Sequence, residues 1–312
     1  MGTVVTQKIF GKRAFEAYNR VAVEIERLEN LMSFFKEDSD ISRLNKMAGK
    51  GEVQLGAEVI LVLSEAYKYS ALSKGAYEIT IGLLSDLWRS CGRLSKVPAA
   101  SNIHELLRYV GYKGLEIDRK KNMAFLLSSR VAVDIGGIGK GFAADAAIEI
   151  YRKVGLESAF IDLGGNVKTL GRKPDGSEWV VGIQHPCAPR GVLLGALLVS
   201  NQSVVTSGIS ERYFEVNGKR FHHLLDSRTG WPVDGDLEST SVICEESMKA
   251  DALSTAAFVL GLDRAMELIS GLAGVEALLV TKNKEVHITS GLRECFFLGD
   301  QGSNYKLCLI DT

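Results

Sequence analysis

Residues 134–145 read Asp134-Ile-Gly-Gly-Ile-Gly-Lys-Gly-Phe-Ala-Ala-Asp145 and follow the run Arg130-Val-Ala-Val133. Glycines at 136, 137, 139 and 141 strip the side chains from a strand-to-helix turn. Bare backbone can then approach a ligand, and the amides that open the next helix face outward. Such a turn suits phosphate or a metal–phosphate pair, with Asp134 and Lys140 offering a charge of each sign. Tight helix–strand packing without any ligand accounts for the same glycines. The turn is not a dinucleotide fingerprint. Gly137-Ile-Gly-Lys-Gly141 breaks the Gly-x-Gly-x-x-Gly spacing, and regular strand–helix alternation is absent around it. A P-loop is excluded as well, because no Gly-Lys-Ser or Gly-Lys-Thr occurs in the chain.

Working outward from the turn, helical spacing runs over 12–32, with Phe15, Tyr18, Ala22, Ile25, Leu28 and Met32 on one stripe. Further helices are predicted over 57–73, 102–110, 141–154, 247–260 and 263–271, with a loop at Asp38-Ser-Asp40. Strands are predicted over 1–10, 114–118, 122–127, 130–134, 158–163, 167–171, 178–185, 191–200, 203–206, 211–217 and 237–244, with short strands in the tail. Asn217-Gly218 reads as a hairpin turn. Helices and strands mix without regular alternation, which argues α+β: mixed helices with a largely antiparallel sheet. We expect residues 1–312 to form a single large domain of two fused lobes, since 312 residues can bury a large core.

Composition excludes several functions. Lys and Arg total 37 against 38 for Asp and Glu, so no charge signature of nucleic-acid or membrane binding is present. No stretch approaches the ~18 uninterrupted apolar residues of a membrane span. Cysteines 91, 187, 244, 295 and 308 form no Cys-x-x-Cys pair, so their spacing indicates neither a zinc site nor a disulfide framework.

Four other stretches carry chemistry. Asp162-Leu-Gly-Gly-Asn166 is a second glycine turn, and Thr206-Ser-Gly208 is a polar, flexible trio. His222-His-Leu-Leu-Asp-Ser-Arg-Thr-Gly-Trp-Pro232 packs two histidines, an aspartate and an arginine into a turn-rich loop. The plain alternative there is a hairpin connection whose turn Asp226 caps. In Met248-Lys-Ala-Asp-Ala-Leu-Ser-Thr-Ala-Ala-Phe258, a helix would put Asp251, Ser254 and Thr255 on one face. That is an all-oxygen set fit for magnesium or calcium rather than zinc. The alternative is that Asp251 caps its own helix.

The ordered set Asp134–Gly141, Leu163-Gly-Gly-Asn166, Thr206-Ser-Gly208, His223-Leu-Leu-Asp226 with Thr229-Gly230, and Asp251-Ala-Leu-Ser-Thr255 resembles the ApbE family of magnesium-dependent FAD:protein FMN transferases. Met1-Gly-Thr3, Ser39-Asp-Ile-Ser-Arg-Leu-Asn45 and Gly75-Ala-Tyr-Glu-Ile-Thr80, running on to Leu87-Trp88, agree, so the resemblance spans essentially the whole chain. It implies flavin contacts at Met1, Phe35, Ala76, Tyr77, Glu78, Asp134, Lys140 and Leu225. It implies Mg2+ ligands at Gly137, through its backbone oxygen, and at Asp251, Ser254 and Thr255. The loop histidine of the family falls on His223, the candidate base, because an imidazole titrates near neutral pH; His222 is expected to point away along the strand. Two departures stand out: Ser227 where the family usually has proline, and Phe35 where tyrosine is frequent.

The implied reaction passes FMN from FAD to a Thr or Ser hydroxyl of an acceptor protein, such as the redox subunits of Nqr and Rnf complexes, and releases AMP. An FAD pyrophosphatase and a non-catalytic flavin-binding protein use the same residues and stay open at this point; nothing suggests a nicotinamide site. Met1-Gly-Thr3 matches a motif that usually follows an export signal or a lipid-anchored cysteine. The expectation is an extracytoplasmic, membrane-anchored protein if such a signal was trimmed, and a cytoplasmic one if Met1 is the genuine start.

Overall fold

The computed structural model describes residues 2–210 and 212–310. In chain order the elements are β1 (Val5–Phe10), α1 (Ala14–Met32), α2 (Asp40–Lys46), β2 (Val53–Gln54), α3 (Ala57–Leu72), α4 (Gly82–Arg93), α5 (Ala100–Leu107), β3 (Leu115–Asp118), β4 (Met123–Leu126), α6 (Gly139–Lys153), β5 (Ser158–Leu163), β6 (Asn166–Leu170), β7 (Trp179–Gln184), β8 (Leu193–Val199), β9 (Ser203–Gly208), β10 (Tyr213–Val216), β11 (Lys219–His222), β12 (Leu237–Cys244), α7 (Ser247–Leu260), α8 (Leu262–Ser270), β13 (Val275–Thr281), β14 (Glu285–Thr289), β15 (Phe296–Leu298) and β16 (Lys306–Ile310). No described helix is long and apolar enough to cross a membrane. The chain divides into two compact units. One comprises the residues up to Glu26, Lys140–Gly208 and those from Gly235 onward; the other comprises Arg27–Gly139 and Ile209–Asp234.

The first unit is built on a sheet of order β1-β5-β6-β9-β12-β13-β14-β16, antiparallel at each junction except β14 with β16. Alternation along β9 and β12 sends Val204 and Ile243 to one face. There they meet Trp179, Val181, Leu194 and Leu197 of a smaller sheet, β15-β8-β7, in a buried core. The opposite face carries Ser203, Ser207 and Thr240 and receives α7. Thr240 Oγ1 donates to the Ser254 carbonyl (2.8 Å), and Ser203 Oγ donates to Ser247 Oγ (2.8 Å).

The helices α6 and α7 cap one another. Asp145, on α6, accepts from the amides of Ser247 (3.0 Å) and Met248 (2.9 Å) at the start of α7. Asp251, on α7, accepts from the Gly141 amide (2.9 Å) at the start of α6. The approach is so close that a Cβ on Gly141 would lie 2.3 Å from the Ser247 carbonyl oxygen. Gly141 is therefore needed for helix packing. The buried Lys168 ammonium also pairs with Asp145.

The second unit contains α2–α5, the sheet β2-β4-β3 and the hairpin β10–β11. Asn217 and Gly218 turn that hairpin at positive φ, as their sequence predicts. Trp88 of α4 anchors an apolar cluster: its ring stacks on Phe221 and meets Trp231 edge-on, and its Nε1 donates to the Gly230 carbonyl (2.8 Å).

Three expectations from sequence need correction here. Residues 130–134 form no ladder strand. They run extended against 79–82 through Gly82 N to Ala132 O (2.9 Å) and Asp134 N to Ile79 O (3.0 Å). On their other side the Asn45 amide does what a strand would, donating to Val133 O (3.0 Å) and accepting from Val133 N (2.8 Å). The Asp38–Asp40 region leads into a helix, α2, whose N-cap Ser39 accepts from Ser42 N. Finally, the sequence reading places no helix over 82–93, where α4 forms with Gly82 and Gly92 inside it. Each is small because a neighbour is close: a Cβ on Gly82 would meet Ala132 O at 2.7 Å, and one on Gly92 would meet the Phe214 ring.

The reciprocal cap predicts that Asp145→Ala destabilises the protein severely. Losing the cap costs about 1 kcal/mol, and stranding buried Lys168 adds about 3–5 kcal/mol. Urea unfolding should show a lower midpoint, with Asp145→Asn intermediate; a loss below about 1 kcal/mol would contradict the assignment.

Candidate functional site

The residues singled out from sequence fall into two groups, one in each unit. In the first unit, Lys140, Asp251, Ser254 and Thr255 come together. The Asp251 side chain is 3% exposed, and its Oδ1 lies 3.1 Å from Lys140 Nζ. Its Oδ2 receives the Gly141 amide. Because α7 begins at Ser247, Asp251 is its fifth residue and lies beyond the reach of its own N-terminus. The capping alternative is thus realised on α6 instead. Ser254 Oγ donates to the Asp251 carbonyl (2.9 Å) and shares a hydrogen bond with Ser207 Oγ (2.9 Å); Thr255 Oγ1 lies 3.4 Å from the same Ser207 oxygen.

This is a cluster of oxygens, one of them a buried carboxylate. An ammonium already rests against that carboxylate, so the local field accepts a cation. Oxygen-only donors suit a hard ion such as magnesium. Sequence spacing brings out Asp251, Ser254 and Thr255, but the contribution of Ser207 comes from β9, on whose face α7 packs. The trio Thr206-Ser-Gly208 was its only signal.

In the second unit, Asp134 accepts from the Gly136 amide (2.8 Å), and Arg89 Nη2 lies 3.6 Å from its other oxygen. The Arg89 guanidinium also sits 4.3 Å from the centre of the Phe35 ring, which is itself 61% exposed. Arg89 therefore links two expected flavin contacts, Phe35 and Asp134, and its own sequence context did not mark it. Gly137 lies in the turn closed by the amides of Ile138 and Gly139 on the Ile135 carbonyl.

Glu78 is buried and braces the 78–112 region. It accepts from Thr80 N (2.9 Å), Thr80 Oγ1 (2.8 Å) and Tyr112 N (3.0 Å). Burial pushes its carboxyl above the usual carboxylate range, against the pull of those hydrogen bonds. Tyr77 and Leu225 are buried, Leu225 within the Trp88 cluster, and Ala76 is half-buried. Met1 lies outside the described residues.

The loop after β11 is tied to the 75–80 segment by Ser227 Oγ donating to Gly75 O (2.6 Å). A proline at 227 could not make this bond. Asp226 accepts from Arg228 N, Nε and Nη2 at 2.9 Å each, so it caps the turn as the plain reading has it.

The two histidines differ in kind. His222 is buried; its Nε2 faces the Val233 carbonyl (2.9 Å) and its Nδ1 accepts from Leu224 N (3.3 Å). A carbonyl only accepts, so Nε2 carries the hydrogen, and both ring nitrogens are committed to backbone. His223 is exposed, with Nδ1 3.2 Å from the Arg212 carbonyl. By the same reasoning Nδ1 carries the hydrogen, which leaves Nε2 as the basic nitrogen of the neutral ring.

The ApbE family model matches residues 1–279. The chain is 34% identical over 302 residues to the FAD:protein FMN transferase of Klebsiella pneumoniae, covering 97% of this chain and 93% of that protein. Its fold superposes on the ApbE protein of Thermotoga maritima with a TM-score of 0.83 at 29% identity, covering 98% and 96% of the two chains. It also superposes on the apo form of the flavinyl transferase ApbE of Pseudomonas stutzeri with a TM-score of 0.81 at 28% identity, covering 96% and 95%. A match that runs unbroken through the Asp134 turn, the His223 loop and the Asp251 helix, on a fold shared over nearly the whole length, means that this chain belongs to the ApbE family.

Proposed function

We propose that this protein transfers the FMN moiety of FAD to a threonine or serine hydroxyl of a target protein, releases AMP, and uses magnesium held at Asp251. The observation that carries this reading is the buried Asp251 carboxylate set among the Ser254, Thr255 and Ser207 hydroxyls and paired with Lys140. The activity named for the Klebsiella relative supports it.

In the proposed step the acceptor oxygen bonds to the phosphorus that bears the riboflavin. The pyrophosphate P–O bond on that phosphorus breaks, AMP leaves with the bridging oxygen, and the hydroxyl proton passes to His223 Nε2. Phosphoryl transfer asks chiefly for positioning and charge neutralisation. Magnesium would be held by Asp251, Ser254 and Thr255, and would supply charge neutralisation on the phosphate oxygens. Lys140, which pairs with Asp251, would offer its charge to the phosphate oxygens of the substrate when Asp251 holds the ion. The positive end of α6 favours the same anion. Phe35, Ala76, Tyr77, Glu78, Asp134 and Leu225 are the proposed flavin contacts, with Arg89 holding Phe35 and balancing Asp134.

Three measurements test this. Incubation with FAD, magnesium and an acceptor domain should give a fluorescent acceptor band on a denaturing gel, and EDTA should abolish it; full transfer after exhaustive chelation refutes the metal, and AMP release without labelling points to hydrolysis. His223→Ala should retain FAD binding within a few-fold and lose roughly 10²–10⁴ in turnover, the usual range for a general base; unchanged turnover means that the proton goes elsewhere. Asp251→Asn separates the two duties of that residue. The amide oxygen can still accept from Gly141, so unfolding should shift little, while transfer at ordinary magnesium should drop by roughly 10²-fold or more and recover in part at high magnesium. An active Asp251→Asn protein would reduce Asp251 to a helix cap.

A further inference from the structure

A second cluster of ligand-type side chains lies in the first unit, beyond residue 279, where the family match ends. Strands β14 and β16 pair in parallel, with His287 in register with Cys308 and Glu285 in register with Lys306. Val286 and Ile288 point into the core between the two sheets. Alternation therefore turns Glu285 and His287 to the other face, and Cys308 shares that face as the register partner of His287. A carboxylate oxygen, an imidazole nitrogen and a thiol sulfur, one from each residue, lie within 4.8 Å of one another. His287 Nε2 is 3.1 Å from Glu285 Oε2. The three residues are half-buried, neither sealed in the core nor fully solvated.

We propose that Glu285, His287 and Cys308 bind one borderline-soft divalent cation of the zinc type, which fastens strand β16 to β14. The donor set decides the class of ion. A thiolate and an imidazole disfavour magnesium and calcium, whereas zinc takes sulfur, nitrogen and carboxylate oxygen together. Tetrahedral zinc places its ligand atoms about 3.3–3.8 Å apart. Binding would draw the three atoms, now within 4.8 Å of one another, in to that spacing. Three protein ligands leave a fourth position for water. Binding replaces the Cys308 S–H bond with S–Zn and releases the proton to solvent.

Lys306 opposes the ion. Its Nζ lies 3.4 Å from Glu285 Oε1, yet its side chain is 75% exposed and can swing away. The consequence of binding is local. In the sheet order β16 comes last, beside β14, and such an edge strand gains most from a cross-link. Motif spacing could not reveal this site, because two ligands sit two residues apart on one strand and the third arrives from its neighbour.

The test uses the full-length protein, freed of metal by chelation and dialysis, with Co2+ as the spectroscopic probe and Zn2+ in calorimetry. One equivalent of Co2+ should give a thiolate-to-cobalt charge-transfer band and the strong visible bands of a tetrahedral site, and Zn2+ should bleach both. Cys308→Ser should lose the charge-transfer band. His287→Gln should weaken Zn2+ by more than about 10-fold, since losing even an outer-shell partner costs that much. Lys306→Ala should bind Zn2+ several-fold tighter, because a competing cation is gone. Zn2+ should raise the melting temperature of the parent protein and not that of Cys308→Ser, whose circular dichroism should otherwise be unchanged. Absence of a thiolate–cobalt band, or a band that survives Cys308→Ser but vanishes in Cys187→Ser, would overturn the assignment.

Discussion

The first unit depends on an exchange of carboxylates between two helix starts. A helix leaves its first amides without partners, and burying such an end is costly. Here α6 and α7 bury theirs against one another, and each supplies the acid that the other needs: Asp145 for Ser247 and Met248, Asp251 for Gly141. The exchange works only at short range, which is why residue 141 has no side chain. Once α7 is fixed this way, its small residues lie flat on β9 and β12. The Ser203–Ser247–Asn166 hydrogen bonds then pair the Ser203 and Ser247 hydroxyls and the Asn166 Oδ1 buried beneath it, while Asn166 Nδ2 stays without a hydrogen-bond partner.

That geometry explains how a carboxylate comes to be buried and still serve chemistry. A fully buried aspartate without compensation would protonate or disrupt the fold. Asp251 is compensated twice, by the Gly141 amide and by the Lys140 ammonium. The amide belongs to the scaffold and stays. The Lys140 side chain is partly exposed, so its ammonium can be rehydrated where it gives way to a divalent ion that keeps the carboxylate paired. A single residue thus joins fold and proposed function, and removing it outright confounds the two. Replacing it with its amide does not.

How much of this was legible depended on the range of the interaction. The strands over 158–163 and 237–244 and the helix over 247–260 match their sequence readings to the residue. They carry alternating or alanine-rich patterns that no neighbour overrides. Asp251, Ser254 and Thr255 share a helical turn, so their grouping could be read directly. Ser207 lies 47 residues from Ser254, and Asp145 lies 102 residues from the amide of Ser247; neither link leaves a periodic trace. Helix α4 was missed because its glycines answer to Ala132 and Phe214, partners that only the folded chain supplies. Residues 130–134 have the composition of a strand, but a side-chain amide, Asn45, occupies the place where a neighbouring strand would pair.

Donor chemistry separates the two proposed cation sites. At α7 the donors are hydroxyl and carboxylate oxygens, and the ion they suit is hard, strongly hydrated and readily exchanged with phosphate ligands. At β14 and β16 the donors include sulfur and nitrogen, and the ion they suit is held by more covalent bonds. An ion that must follow a phosphate substrate has to exchange; an ion that fastens an edge strand must not. Donor chemistry therefore sets an order of filling: zinc goes first to the sulfur- and nitrogen-containing set, and the oxygen set is left to magnesium while zinc is scarce. It also predicts that the first equivalent of zinc leaves the proposed magnesium-dependent transfer intact while it stabilises the C-terminal strands. Transfer inhibited in proportion to the first equivalent of zinc would show that the two sites are not chemically insulated.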